Sequence, residues 1–222
     1  MQYSSPLVIE TSSPVTAAII WLHGLGSNGF DFEPIVAQLR LPSSVGIRFV
    51  FPHAPQMPVT VNGGYVMPAW YDILDMKIDR KVDVKQLIAS ANFIQTLIDK
   101  EIESGISSKR IILAGFSQGG AVGYHAALTY PQPLGGLIAM STYFATSNHI
   151  ELNKANLSLP ITIFHGTEDS VVDQSLGRLA ADELLAMGLS PDYQTYTMVH
   201  TVCMEEVNAI SSWIKHILSS SA

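Results

Sequence analysis

Gly115-Phe116-Ser117-Gln118-Gly119 is the segment of this 222-residue chain whose chemistry is easiest to read. An apolar run, Ile111 to Ala114, leads into it, and the small residues Gly120, Ala121 and Gly123 follow. Strand, sharp turn and helix in that order hold a serine in a strained backbone conformation with its hydroxyl presented outward. Glycines two residues before and after leave room for the turn. A serine hydroxyl is a weak nucleophile, so it needs a base, and the base needs a carboxylate to orient it. With an elbow of this kind the partners follow in the order Ser, then Asp or Glu, then His, each on a loop after a strand end. Asp169, behind the apolar run Ile161 to Phe164, and His200, behind Asp192 to Met198, supply that order. Ser117, Asp169 and His200 are therefore the candidate catalytic residues, and the chemistry is acyl transfer through an acyl-enzyme.

Other residues compete for these roles. His23, His53 and His165 also follow strand-like runs, but they precede the serine or the acid, and structural hydrogen bonding explains them better. His125 and His216 fall inside helical segments. Glu168 and Asp173 are the alternative acids; Asp173 fits a helix N-cap, and Glu168 would point away from Asp169 in an extended loop. There is no His-Glu-x-x-His, Cys203 stands alone, and no Gly-x-Gly-x-x-Gly or phosphate loop occurs, so no metal and no cofactor are expected. A catalytically silent binding protein is the reading from another class, and the complete triad argues against it.

These residues require a scaffold that delivers strand ends to one edge. Leu7 to Thr11 and Thr16 to Leu22 read as an opening pair of strands around Ser12-Ser13-Pro14. The second ends in His23-Gly24-Leu25-Gly26-Ser27-Asn28-Gly29, a loop whose glycines let backbone N–H groups turn toward a ligand; a plain strand-to-helix turn is the simpler reading. Phe30 to Leu39 reads as a short helix and Ile47 to Phe51 as a buried strand. Pro52 to Pro68 is a long loop in which Pro55, Pro58, Gly63 and Gly64 should break any regular element. Its Met57, Val59, Val61, Tyr65, Val66 and Met67 are too apolar for disorder and suit a lid or pocket wall. Trp70 is either core filler or part of a substrate wall. Val82 to Glu103 is a helix with an apolar face, Asp83 and Gln86 forming a capping box and Gly105 the stop. Further strands at Gly136 to Ser141, Ile161 to Phe164 and Asp192 to Met198 alternate with helices from about 173 to 187 and from 204 to 218. The alternation predicts an α/β fold in one domain, 1–222, with a mostly parallel central sheet and helices on both faces.

Composition narrows the partners. Charged residues make up 14% of the chain and the formal net charge is -7, which disfavours nucleic acid and anionic membrane surfaces, both of which demand clustered Lys and Arg. So low a charge content suggests apolar surface left for a ligand, a lid or a second copy in a homodimer. The early run Ala17 to Leu22 is far shorter than the ~20 residues that span a bilayer, so the chain is not expected to be membrane-embedded. A lone Cys203 fits a reducing compartment, and the cytoplasm is the expected location.

Several segments together resemble one family. Trp21-Leu22-His23-Gly24-Leu25-Gly26, Phe51-Pro52-His53-Ala54, Pro68-Ala69-Trp70-Tyr71-Asp72, Gly115 to Ala121, His165-Gly166-Thr167-Glu168-Asp169 and Val202-Cys203-Met204-Glu205-Glu206 are similar to the carboxylesterase and acyl-protein thioesterase family of α/β-hydrolases. The resemblance implies an α/β-hydrolase fold, hydrolysis of carboxylic esters or thioesters, and a small-molecule, lipid or acylated-protein substrate. Lysophospholipase or short-chain esterase activity is the alternative. It also implies that the backbone N–H groups of Leu25 and Gln118 form the oxyanion hole. The 57–67 loop would be a wall over the acyl chain, making Met57, Val61, Met67 and Trp70 candidate substrate contacts. One departure stands out: Val199 precedes the catalytic histidine where family members commonly have Gly. A β-branched residue resists φ > 0, so the turn bearing His200 should use ordinary backbone geometry or be shifted.

Overall fold

The computed structural model describes residues 2–75 and 81–220. In chain order its elements are β1 (Leu7–Glu10), β2 (Val15–Leu22), α1 (Ile35–Gln38), β3 (Gly46–Phe51), β4 (Gln56–Val59), β5 (Tyr65–Pro68), α2 (Val84–Glu103), β6 (Ile111–Phe116), α3 (Gln118–Thr129), β7 (Gly136–Met140), β8 (Ile161–Gly166), α4 (Gln174–Ala186), β9 (Asp192–Tyr196) and α5 (Met204–Ser220). Seven strands form one sheet in the order β1-β3-β2-β6-β7-β8-β9. All neighbours are parallel except β1, which runs antiparallel to β3 with Leu7 opposite Phe51. The first two strands are thus not partners, because β3 lies between them.

Strict alternation along the central strands divides the core. Ala18, Ile20 and Leu22 of β2 and Leu113 of β6 join the helices α2, α3 and α4 on one face. Ala17, Ile19 and Trp21 of β2 and Ile112 and Ala114 of β6 join α1 and α5 on the other. Both faces of a parallel sheet are buried in this way, which is why its strands read as continuous apolar runs. Burial of Gln118 through Leu128 on every side of α3 follows from its position between the sheet and α2.

Three local expectations are corrected. The helix expected over 30–39 is only α1, since Pro34 lacks an N–H and disfavours helical geometry in the residue before it. The loop from 52 to 68 contains the hairpin β4–β5, with Met57 opposite Met67. Gly63 and Gly64, at φ +67° and +78°, build its turn instead of interrupting it. Pro58 and Pro68 are tolerated because a two-stranded ribbon consists of edges alone. At the start of α2, Asp83 Oδ1 accepts from Gln86 N at 3.0 Å. The reciprocal half of the box is absent, since Gln86 Oε1 accepts from Asp72 N instead.

Candidate active site

β6 delivers Ser117 to the edge where the parallel strands end. Its φ of +52° lies in a region that non-glycine residues avoid. The surroundings hold it there: Ser117 N donates to Met140 O at 2.9 Å, and its carbonyl accepts from Thr142 Oγ1 at 2.6 Å and from Gly120 N at 3.0 Å. The flanking glycines are required by space. A Cβ on Gly115 would lie 2.6 Å from Gly119 O, and one on Gly119 would lie 2.5 Å from His23 O. Both obstacles are backbone, which cannot rotate away.

Ser117, Asp169 and His200 come together. His200 Nε2 lies 3.0 Å from Ser117 Oγ, and His200 Nδ1 lies 2.7 Å from Asp169 Oδ2. The loop after β8 fixes the carboxylate from its other side, for Asp169 Oδ1 accepts from Val171 N at 2.9 Å and Val172 N at 2.8 Å. Burial alone would raise the pKa of Asp169, but the hydrogen bonds from His200, Val172 and Val171 and the charge of the imidazole outweigh it and hold the group below its ordinary value. The Phe116 ring packs against the imidazole at 4.7 Å between centroids. Val199 carries an ordinary negative φ and an exposed side chain, so the turn needs no glycine.

The loop after β2 runs beside the nucleophile: a Cβ on Gly24 would come 3.4 Å from Ser117 Cβ. Its turn uses Gly26 N, which donates to Pro68 O at 2.8 Å, and Ser27 N, which donates to Gly24 O at 3.3 Å, while the Leu25 N–H takes part in neither bond. Gln118 is the first residue of α3, so its N–H has no intrahelical acceptor. Both candidate oxyanion donors therefore flank Ser117 with their N–H groups uncommitted to these turns, and the positive end of the α3 dipole lies at the same place.

The competing histidines have other hydrogen-bond partners, although His165 Nε2 also lies 3.6 Å from Asp169 Oδ2. His23 Nε2 accepts from Ala54 N at 3.0 Å while Nδ1–H donates to Gly24 O at 2.7 Å, a neutral tautomer, and burial pushes its pKa down to about 4. His53 Nδ1 accepts from Gly29 N, His165 Nε2 donates to Val172 O, and His125 Nδ1 meets Thr146 Oγ1. Asp173 caps α4 by accepting from Ser175 N at 2.9 Å.

Ser117 and His200 open on a cavity of about 410 Å³ whose walls include Leu25, Phe32, Ile73, Phe116, Tyr143 and Val171. The proposed substrate contacts lie elsewhere. Trp70 is fully buried, its Nε1 donating to His23 O at 2.8 Å, and it acts as core filler. Val61 packs against the core with its N–H on Ile73 O, and Met57 lines a separate groove with Tyr3, His53 and Pro68. Met67 sits beside Gly26 of the loop after β2, its Sδ 3.8 Å from where a Cβ on that glycine would lie. None of these four residues lines the cavity beside Ser117. Sequence reasoning missed Ile73, Tyr143 and the side chain of Gln118, because each reaches the site through packing that no local pattern encodes.

A parallel sheet, a strained serine between β6 and α3, and an acid and a histidine on the loops after β8 and β9 define an α/β-hydrolase. The chain belongs to the phospholipase/carboxylesterase family, whose model matches residues 4–218. It is 37% identical over 220 residues to acyl-protein thioesterase 1 of Neurospora crassa, covering 94% of this chain and 90% of that protein. The acyl-protein thioesterase 1 of Cryptococcus neoformans is 34% identical, covering 96% of this chain and 97% of that one. Among solved structures, Arabidopsis thaliana SOBER1 superposes with a TM-score of 0.86 at 31% identity, over 92% of this chain and 100% of that one. Zea mays acyl-protein thioesterase 2 superposes with a TM-score of 0.85 at 28% identity, over 97% and 100%.

Proposed function

We propose that this chain is a serine hydrolase of carboxylic esters and acyl thioesters. In this reading Ser117 attacks the acyl carbon, His200 takes the proton and returns it to the leaving group, Asp169 holds the imidazole, and the Leu25 and Gln118 N–H groups stabilise the tetrahedral oxyanion. Water then releases the acid by the same route. The observation that carries the reading is the unbroken chain from Asp169 Oδ2 through His200 to Ser117 Oγ, at 2.7 and 3.0 Å. Relatives named acyl-protein thioesterases favour thioesters of acylated proteins over lysophospholipids as the substrate class. Among the described residues no helix is long and apolar enough to cross a membrane, and the lone Cys203 supports action in the cytoplasm.

The deciding experiment pairs a fluorophosphonate label with matched ester and thioester substrates. Labelling should map to Ser117 and vanish in Ser117→Ala and His200→Ala. An adduct on a peptide without Ser117 would sink the assignment.

A further inference from the structure

Glu206 has no exposed surface, and neither of its carboxyl oxygens has a hydrogen-bond partner among the described residues. It stands in the first turn of α5, three residues after Cys203, whose carbonyl accepts the first helical bond from Val207 N at 3.0 Å. Cys203 is thus the N-cap and Glu206 the third helical residue, the spacing at which an acidic side chain folds back toward the N-cap amide. Burial raises the Glu206 pKa to about 8, against a smaller opposing pull from the Cys203 N–H, which lies near the carboxyl without making a geometrically sound hydrogen bond to it. The titratable groups facing it are Tyr196, from the end of β9, and Cys203, from the loop ahead of α5. Both are neutral acids with raised pKa values: burial and then the Glu206 carboxyl raise Tyr196, while burial raises Cys203 against the pull of the Glu206 N–H, with Glu205 and then Glu206 adding to the rise. Asp192 and Glu205 act on Tyr196 in the same sense. With no cation in this set, a buried carboxylate would be costly and the acid stays protonated near neutrality.

The turn between Tyr196 and Cys203 is the segment that carries His200. It is short: Met198 N donates to Tyr196 O at 2.9 Å and Thr201 N to Val199 O at 2.8 Å. Its far end is fixed by the cap of α5. We propose that Glu206 is a positioning residue for His200, closing the start of α5 against the end of β9 so that the turn holds the imidazole in reach of Ser117. The proposal rests on the reading of His200 as the base.

The test measures kcat, KM and fluorophosphonate-titratable sites for wild type, Glu206→Ala, Glu206→Gln and His200→Ala on a monomeric ester from pH 6 to 10, with melting temperatures alongside. A misplaced imidazole should cost Glu206→Ala about tenfold or more in kcat per titrated site with KM within about threefold. Glutamine, shaped like the protonated acid, should restore most of the turnover at pH 7. It should also carry activity to higher pH than wild type, because it cannot ionise. Wild-type kcat in Glu206→Ala with only a lower melting temperature would overturn the proposal, as would identical alkaline limbs for Glu206→Gln and wild type. If Glu206→Ala does not fold, the Glu206→Gln limb decides alone. Near-normal turnover by His200→Ala would remove the base itself, a failure separable from that of Glu206.

Discussion

The side chain of Gln118 grips the backbone of Tyr71, its Nε2 donating to Tyr71 O at 2.7 Å while its Oε1 accepts from Trp70 N at 2.8 Å. One residue therefore supplies a candidate oxyanion N–H and ties the elbow to the segment bearing Trp70, which in turn holds His23 and the neighbouring loop. Gln118→Ala would strand a buried donor and a buried acceptor, and should cost about 2–4 kcal/mol of stability together with a fall in kcat. Chemical denaturation and steady-state kinetics on the same preparation check both.

Removing members of the triad should be costly in an unequal way. Ser117→Ala should lower kcat by roughly 10⁴ to 10⁶, and Asp169→Asn by about 10⁴, because the amide favours the wrong imidazole tautomer. Replacement of Glu168 by Gln should matter much less. If it were the more damaging change in a folded protein, the assignment of the acid would be wrong.

Two glycines in one motif should respond in opposite ways to alanine. Gly119→Ala places a methyl 2.5 Å from a carbonyl oxygen of the neighbouring strand end, so the elbow must shift and both stability and turnover should fall. Gly123→Ala meets only Leu137 Cδ1 at 3.4 Å and should be neutral or stabilising by up to about 1 kcal/mol through helix propensity. Melting curves of the pair provide the comparison.

Chain-length preference should follow the cavity, not the hairpin. Each methylene buried is worth about 0.8 kcal/mol at most, up to roughly fourfold per carbon in kcat/KM. Ile73→Ala should move the optimum of an acyl series, while the triple change of Met57, Val61 and Met67 to Ser should alter it little, since Ile73 lines the cavity at Ser117 and those three do not. A profile flattened by the triple change and untouched by Ile73→Ala would restore the hairpin as the acyl wall.

Stability should decline toward alkaline pH through Glu206. From its ordinary 4.5 up to about 8 the unfolded chain has released this proton and the folded chain retains it. Unfolding is therefore linked to proton release, and stability falls as pH rises across that window before levelling. His23 acts in the reverse sense: with its pKa moved from 6.5 to about 4, the unfolded chain binds the extra proton first, so stability falls as pH drops through that interval. Glu206→Gln should gain on wild type steadily from pH 5 to 8, which a melting series across buffers would show.

The features that local chemistry enforces were legible in the residues alone. Gly115, Ser117 and Gly119 admit one kind of turn, the apolar runs around them must be buried strands, and the order Ser117, Asp169, His200 follows from where those strands end. Asp173 as a cap and Gly105 as a left-handed stop belong to the same class, since each acts within a few residues of itself. Other features depend on partners far away along the chain. The hairpin at 56–68 was hidden because its glycines and prolines read as breakers until two edge strands found one another. The insertion of β3 between β1 and β2 is a pairing choice that period and propensity leave open. Trp70, Ile73 and Met67 have the same apolar character in sequence. Which of them meets the cavity, the core or the loop at Gly26 was fixed by long-range packing, because hydrophobic burial has no direction until the surfaces that bury it are in place.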